Sequence, residues 1–140
     1  MIEYLDTSAL VKRYVGEAGS AAVRAIFRRG KIAVARVTYA ELLAAVSRAC
    51  RLAVISVDER VSIFARIEAD FRDLTVIEIR AAVLQRVPEL VVRHPLRGYD
   101  AVQLAAALTI HERGGSVRFW SADEPLAGAA VAEGLRSMVP

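Results

Sequence analysis

Short apolar runs alternate along this chain with segments of helical period, and that alternation limits the fold more than any other feature of the sequence. The runs are Ile2-Glu3-Tyr4-Leu5, Lys31 to Ala35, Leu74 to Glu78 and Ser116 to Ser121, with Leu135 to Val139 as a fifth. Between them, apolar residues recur at helical spacing: Leu10, Val11, Tyr14 and Val15, then Val23, Ile26 and Phe27. Tyr39, Leu42, Leu43, Val46 and Cys50 form a third stripe, and Val57, Val61, Phe64, Ile67 and Phe71 a fourth. Strands joined through helices imply right-handed crossovers and a parallel sheet covered on both faces. The expected fold is α/β, three layers around a mostly parallel sheet of four to five strands, in a single domain over residues 1–140.

Local signals divide the helices. Thr7-Ser8 opens the first and Gly16 closes it; Ser20 reads as the cap of the second, which ends at Arg28, Arg29 and Gly30. Thr38 opens the third, with Glu41 in its first turn, and Ser56 to Glu59 reads as a capping box for the fourth. Pro88 removes a backbone donor and should break the helical pattern of Ile79 to Arg93. Tyr99 and Asp100 begin an alanine-rich helix stopped by Gly114-Gly115, and Glu124-Pro125 starts the last one. Glu68, Asp70 and Asp73 are expected on the solvated side of the fourth helix. The first and third helices carry more apolar residues than one sheet face needs, so part of that surface is expected to stay exposed.

With 55% hydrophobic and 25% charged residues the chain has the balance of a globular domain, and charges interrupt every helix-length window, which argues against a membrane span. The N-terminus has no basic lead with an apolar stretch behind it, and a cytoplasmic location is expected. Cys50 is the only cysteine, so no intrachain disulfide can form; with His94 and His111 as the only histidines, a structural zinc site lacks ligands. The net charge of +3 is carried mostly by arginine, the cation that grips phosphate bidentately, and this permits a nucleic-acid partner.

Topology places four acids together. A helix between parallel strands runs antiparallel to them, so its N-terminus lies at the sheet's carboxyl edge, where ligands bind in open α/β sheets. Asp6 and Asp123 end strands, Glu41 begins the helix after the second strand, and Asp100 begins the helix that feeds the fourth. Each acid also has a purely structural explanation. Thr38-x-x-Glu41 and Ser121-x-x-Glu124 fit capping boxes, Asp123 could be an N-cap, and the helix dipole favours Asp100. Together, carboxylates about 5 Å apart would repel by roughly 3 kcal/mol, which asks for a cation. An all-oxygen donor set suits Mg²⁺ or Mn²⁺, and the matching chemistry is metal-assisted hydrolysis of a phosphodiester. No G-x-S-x-G, Walker or dinucleotide loop competes.

The blocks Tyr4-Leu5-Asp6-Thr7-Ser8-Ala9-Leu10-Val11-Lys12, Thr38-x-x-Glu41-Leu42, Leu96-Arg97-Gly98-Tyr99-Asp100-Ala101-Val102-Gln103-Leu104-Ala105 and Ser121-Ala122-Asp123 resemble those of PIN-domain ribonucleases, most of all VapC-type toxins. The resemblance implies a PIN-like α/β/α sandwich, a divalent-metal RNase site of Asp6, Glu41, Asp100 and Asp123, and a small VapB-like antitoxin that inhibits by occupying the groove. It also implies a homodimer and supporting hydroxyls at Thr7, Ser8 and Ser121. Glu124, next to the fourth acid, could share its role. Without the four acids the net charge of +3 becomes +7, an arrangement that would guide RNA to an acidic pocket, with Lys12, Arg13 and Arg97 near enough to contact its backbone. Two rivals are a catalytically silent interaction module of the same fold and a receiver-like phosphoacceptor. The latter needs a late lysine, and Lys12 and Lys31 are the only two.

Overall fold

A computed structural model describes the whole chain, Met1–Pro140. Five strands form one sheet in the order β3-β2-β1-β4-β5, with β1 at Ile2–Leu5, β2 at Lys31–Ala35, β3 at Thr75–Ile77, β4 at Val117–Trp120 and β5 at Arg136–Met138. All four pairings are parallel. The helices are α1 (Thr7–Leu10), α2 (Ser20–Arg29), α3 (Arg36–Arg51), α4 (Val57–Asp73), α5 (Ala81–Leu84), α6 (Val87–Arg93), α7 (Gly98–Glu112) and α8 (Glu124–Ala132). The expected α/β/α sandwich is present, with all five strands parallel. No helix is long and apolar enough to cross a membrane.

Strand alternation builds the three layers. Successive side chains of a strand point to opposite faces, so Tyr4, Ala33, Ala35 and Phe119 enter one core while Leu5, Ile32, Val34 and Trp120 enter the other. The first core packs under α7 and α8 through Leu104, Ala105, Leu108 and Leu126, and the second under α2, α3 and α4 through Val23, Leu42, Val46 and Ile67. The alanines of α7 let that helix lie close to the sheet; Ala101, Ala105, Ala106 and Ala107 are all fully buried. Each fully buried Leu or Phe contributes about 1.5–3 kcal/mol by leaving water.

Several local expectations need correction. The first helix is one α turn that tightens into a 3-10 turn at Val11–Arg13, so it ends before Gly16. Ser20 lies inside α2 instead of capping it; Gly19, at φ 90°, takes the cap position, and a Cβ there would lie 2.5 Å from the Pro140 carbonyl carbon. Ser20 Oγ instead accepts the Glu17 amide at 3.0 Å. Thr38 is buried within α3, whose cap position is Ala35, and no Thr38–Glu41 capping box forms. The Ser56–Glu59 box is formed. Pro88 does interrupt the pattern, which splits into α5 and α6, with the proline in the first turn of α6 where its missing N–H costs nothing.

The apolar surface also lies elsewhere than expected. Leu10, Tyr14, Val15, Leu42 and Val46 are buried in the second core, and Val11 and Leu43 are partly covered by it. The buried line of α4 runs through Ile63, Ile67 and Phe71, which turns Val57 and Val61 outward. With Leu52 and Val54 they form the exposed apolar tip of the α3–α4 turn. A helical period gives a stripe its width, whereas the packing neighbour selects which edge of the stripe is covered.

Candidate active site

The strand order reverses between β1 and β4: β1 leads to β2 on one side of the sheet, whereas β4 leads to β5 on the other. Loops diverge above that point and leave a crevice. There a cleft of about 540 Å³ is lined by Asp6, Glu41, Asp100 and Asp123, together with Thr7, Ser8, Gln103, Arg48 and Arg97. All four acids expected at the carboxyl edge line this one cleft.

Asp6 leaves β1 in extended conformation and caps α1, its Oδ1 accepting the Ala9 amide at 2.9 Å. The capping and site roles coincide. Ser8 Oγ donates to the same carboxylate at 2.7 Å and Ser121 Oγ donates to Oδ2 at 2.7 Å. The two hydroxyls are themselves fixed, since Ser8 Oγ accepts the Ala122 amide at 2.9 Å and Ser121 Oγ the Asp123 amide at 3.1 Å. Asp6 is only 3% exposed. Burial pushes its pKa up to about 6; the hydrogen bonds from Ser121, Ser8 and Ala9 oppose this, while the charge of Asp123 adds to it.

Asp123 caps α8 by accepting the Leu126 amide at 3.0 Å, and Ser121 donates to Asp6, so the possible Ser121–Glu124 capping box is not used. Glu124 follows as the first residue of α8 and does not line the cleft. Asp100 stands in the first turn of α7, with the Arg97 guanidinium 3.5 Å away. Burial and the charge of Asp123 raise its pKa, with Arg97 in opposition. Glu41, in the second turn of α3, caps nothing; its Oε1 accepts from Thr7 Oγ1 at 2.8 Å and from Gln103 Nε2 at 3.0 Å.

The expected cations divide. Arg97 lines the cleft, but Lys12 and Arg13 do not. Lys12 Nζ donates to the Ala18 carbonyl at 2.7 Å and lies near Glu17. Arg13 is carried by the 3-10 turn onto α4, where its Nε meets Asp70 at 2.8 Å and its guanidinium lies 3.8 Å from the Phe27 ring centre. Asp70, expected in solvent, is therefore partly covered and paired. Sequence reasoning missed Arg48 and Gln103 as cleft residues. Their signals were available: Arg48 lies two turns beyond Glu41 on α3, and Gln103 one turn beyond Asp100 on α7.

The donor set fits a hard divalent cation. Every ligand candidate is an oxygen, and Mg²⁺, which keeps several of its waters, needs only one or two carboxylates. Asp123 raises the pKa of both Asp6 and Asp100, so negative charge concentrates between them. No three Asp, Glu, His or Cys side chains stand close enough to chelate one ion in their present rotamers. Each is held by its own hydroxyl, amide or guanidinium partner.

Fold and cleft together define a three-layer α/β/α protein with an acidic, oxygen-only site at the switch point of a parallel sheet. Residues 4–130 match the PIN domain family. The chain is 36% identical to Ribonuclease VapC45 of Mycobacterium tuberculosis (strain CDC 1551 / Oshkosh) over 95% of its length and 92% of that protein's. It superposes on Mycobacterium tuberculosis VapC20, a sarcin-ricin loop cleaving toxin, with TM-score 0.68 across 99% of each chain at 17% identity. A chain of VapBC2 from Rickettsia felis, solved bound to a promoter DNA fragment, gives TM-score 0.67 at 16% identity, covering 100% of this chain and 99% of that one. The chain belongs to the PIN-domain family, in its VapC group.

Proposed function

We propose that this protein is a divalent-metal-dependent endoribonuclease that hydrolyses RNA phosphodiester bonds, and that it is the cytoplasmic toxin of a toxin–antitoxin pair. The observation that carries the reading is the meeting of Asp6, Glu41, Asp100 and Asp123, from four different elements, in a single cleft. The hydroxyls of Thr7, Ser8 and Ser121 all donate to these carboxylates and none has a histidine or lysine as a base, so they orient acids and do not serve as nucleophiles. Hydrolysis then falls to water. Bound among the carboxylates, Mg²⁺ or Mn²⁺ would supply charge for the phosphoryl oxygens and lower the pKa of that water. Asp6 and Asp100 would hold the ion with Glu41 and Asp123 beside it; Ser8 and Ser121 keep Asp6 in place, and Arg97 and Arg48 offer cations to the flanking RNA phosphates. Residues 1–140 would act as one domain, because the site draws on elements from β1 to α8.

Relatives named for ribonuclease activity support the RNA substrate, and the complex named VapBC2 supports a small antitoxin partner that fills the cleft. The exposed tip of Leu52, Val54, Val57 and Val61 supports pairing of two copies. The test is cleavage of total RNA with the new 5′ ends mapped. EDTA should stop it, Mg²⁺ or Mn²⁺ should restore it, and co-expression of the adjacent small reading frame should suppress it. Cleavage that persists in EDTA would sink the mechanism, and a strictly monomeric mass in solution would remove the pairing.

A further inference from the structure

Beneath the cleft, Glu41 rests on a buried polar chain. Tyr4, fully buried on β1, stacks on Phe119 with ring centres 5.4 Å apart. Its hydroxyl donates to Gln103 Oε1 at 2.9 Å. Gln103, 2% exposed, donates through Nε2 to Thr38 Oγ1 at 2.8 Å and to Glu41 Oε1 at 3.0 Å. Thr7 donates to that same Glu41 oxygen at 2.8 Å. The polarity of the chain is forced: a carboxylate only accepts, so the amide must turn its NH₂ to Glu41 and its carbonyl to Tyr4, and Tyr4 must donate. Both donors land on Oε1, and Oε2 receives no hydrogen bond from the protein. An unpaired amide among the buried alanines of α7 would be costly, whereas here every arm of Gln103 has a partner.

We propose that Tyr4 and Gln103 are positioning residues, a buried relay that holds the Glu41 carboxylate by one oxygen and leaves the other to face a divalent cation in the cleft. The proposal rests on the nuclease reading above and adds to it a pair of residues that need not touch ion or RNA. Partners that orient a metal ligand typically set affinity by 10- to 100-fold. Tyr4 acts at one further remove, so its share is smaller.

The relay is tested first without metal, by NMR of the Gln103 side-chain amide in the folded protein. Its protons should exchange slowly with solvent in wild type and faster in Tyr4→Phe; equal exchange overturns the relay whatever the protein does with metal. The second measurement is Mn²⁺ binding to RNA-free protein, read by the paramagnetic resonance of the free ion. Gln103→Leu should weaken binding about tenfold or more, and Tyr4→Phe by less. The double variant should bind no more weakly than Gln103→Leu alone, because the two act in series. Thr109→Val, on α7 with its hydroxyl bonded only to the Ala105 carbonyl, should bind as wild type does. Variants that bind Mn²⁺ as tightly as wild type, or a double variant that adds both effects in full, overturn the relay. Wild-type protein that binds no Mn²⁺ overturns the nuclease reading instead. Tyr4→Phe, which loses one atom, keeps the test alive if Gln103→Leu does not fold.

Discussion

Asp6 and Asp70 are both carboxylates drawn partly out of water beside hydroxyl donors, and they have opposite fates. Burial acts to raise the pKa of Asp70, but Arg13 and Tyr14 more than cancel it, with hydrogen bonds of 2.8 Å to Arg13 Nε and 2.5 Å to the Tyr14 hydroxyl, and Asp70 ends below its ordinary value. At Asp6 burial wins, because its partners are neutral and its charged neighbour is another carboxylate. The fold therefore completes one acid internally and leaves the other short of positive charge. A paired acid is structural; a buried acid without a counter-charge, at the edge where loops diverge, marks where stability is given up for chemistry.

The sharpest way to break this contrast is to neutralise each acid in turn. Asp6→Asn and Asp100→Asn should each lower RNA cleavage on the order of a thousandfold, equivalent to several kcal/mol of lost charge stabilisation. Asp70→Asn should leave cleavage per folded molecule unchanged and lower the unfolding free energy by about 1–2 kcal/mol. That is the loss of charge-assisted hydrogen bonds discounted for partial exposure. Urea denaturation and initial rates on one RNA separate the two outcomes. An active Asp6→Asn protein would erase the distinction.

A second test uses pH. Asp6 has a folded pKa of about 6 against an ordinary 3.8, so its contribution to stability is fully present below pH 3.8 and lost as pH rises through 6. The loss amounts to about 3 kcal/mol on the alkaline side. Metal-free wild type should therefore lose stability relative to Asp6→Asn between about pH 4 and pH 6.5, and run parallel to it above that. Mn²⁺ should raise the Tm strongly at about pH 7.5 and weakly at about pH 5, where protons compete for the same carboxylate. Thermal scans of both proteins across that range measure the difference, and curves parallel throughout would show that Asp6 is not the strained acid.

The four acids were legible in the sequence because topology alone puts strand ends and helix starts on one edge. Glu41 shows the limit of local pattern: its Thr38-x-x-Glu41 spacing imitates a capping box, yet α3 begins at Arg36 and the acid is free for the cleft. Lys12 ends a site motif and Arg13 follows it, but neither lines the cleft, because the 3-10 turn changes the rotation per residue and aims Arg13 at α4. Val57 and Val61 extend an apolar stripe yet lie outside, for no periodicity specifies how far α4 rolls against the sheet. Gln103 is the most instructive omission. A lone amide in an alanine-rich buried helix is costly unless something needs it, and that mismatch was visible in the residue types alone.

The smallest expected effect concerns the rim, where neither kind of acid is at stake. Arg97 has a side chain 86% exposed and stands 3.5 Å from Asp100, so as an ion pair it is worth little. On the proposed function its use would be the field it adds for an approaching phosphate, shared with Arg48, which lines the same cleft. Arg97→Gln should slow RNA cleavage about two- to fivefold at low ionic strength, the range of a solvent-exposed contact. The deficit should shrink as salt rises toward 1 M, because the screening length then falls to about 3 Å. The Asp6→Asn defect, made inside the cleft, should not respond to salt in this way. Rates for both variants across a salt series compare the two directly. A deficit in Arg97→Gln that stays constant with salt would move Arg97 from the rim into the machinery that holds Asp100.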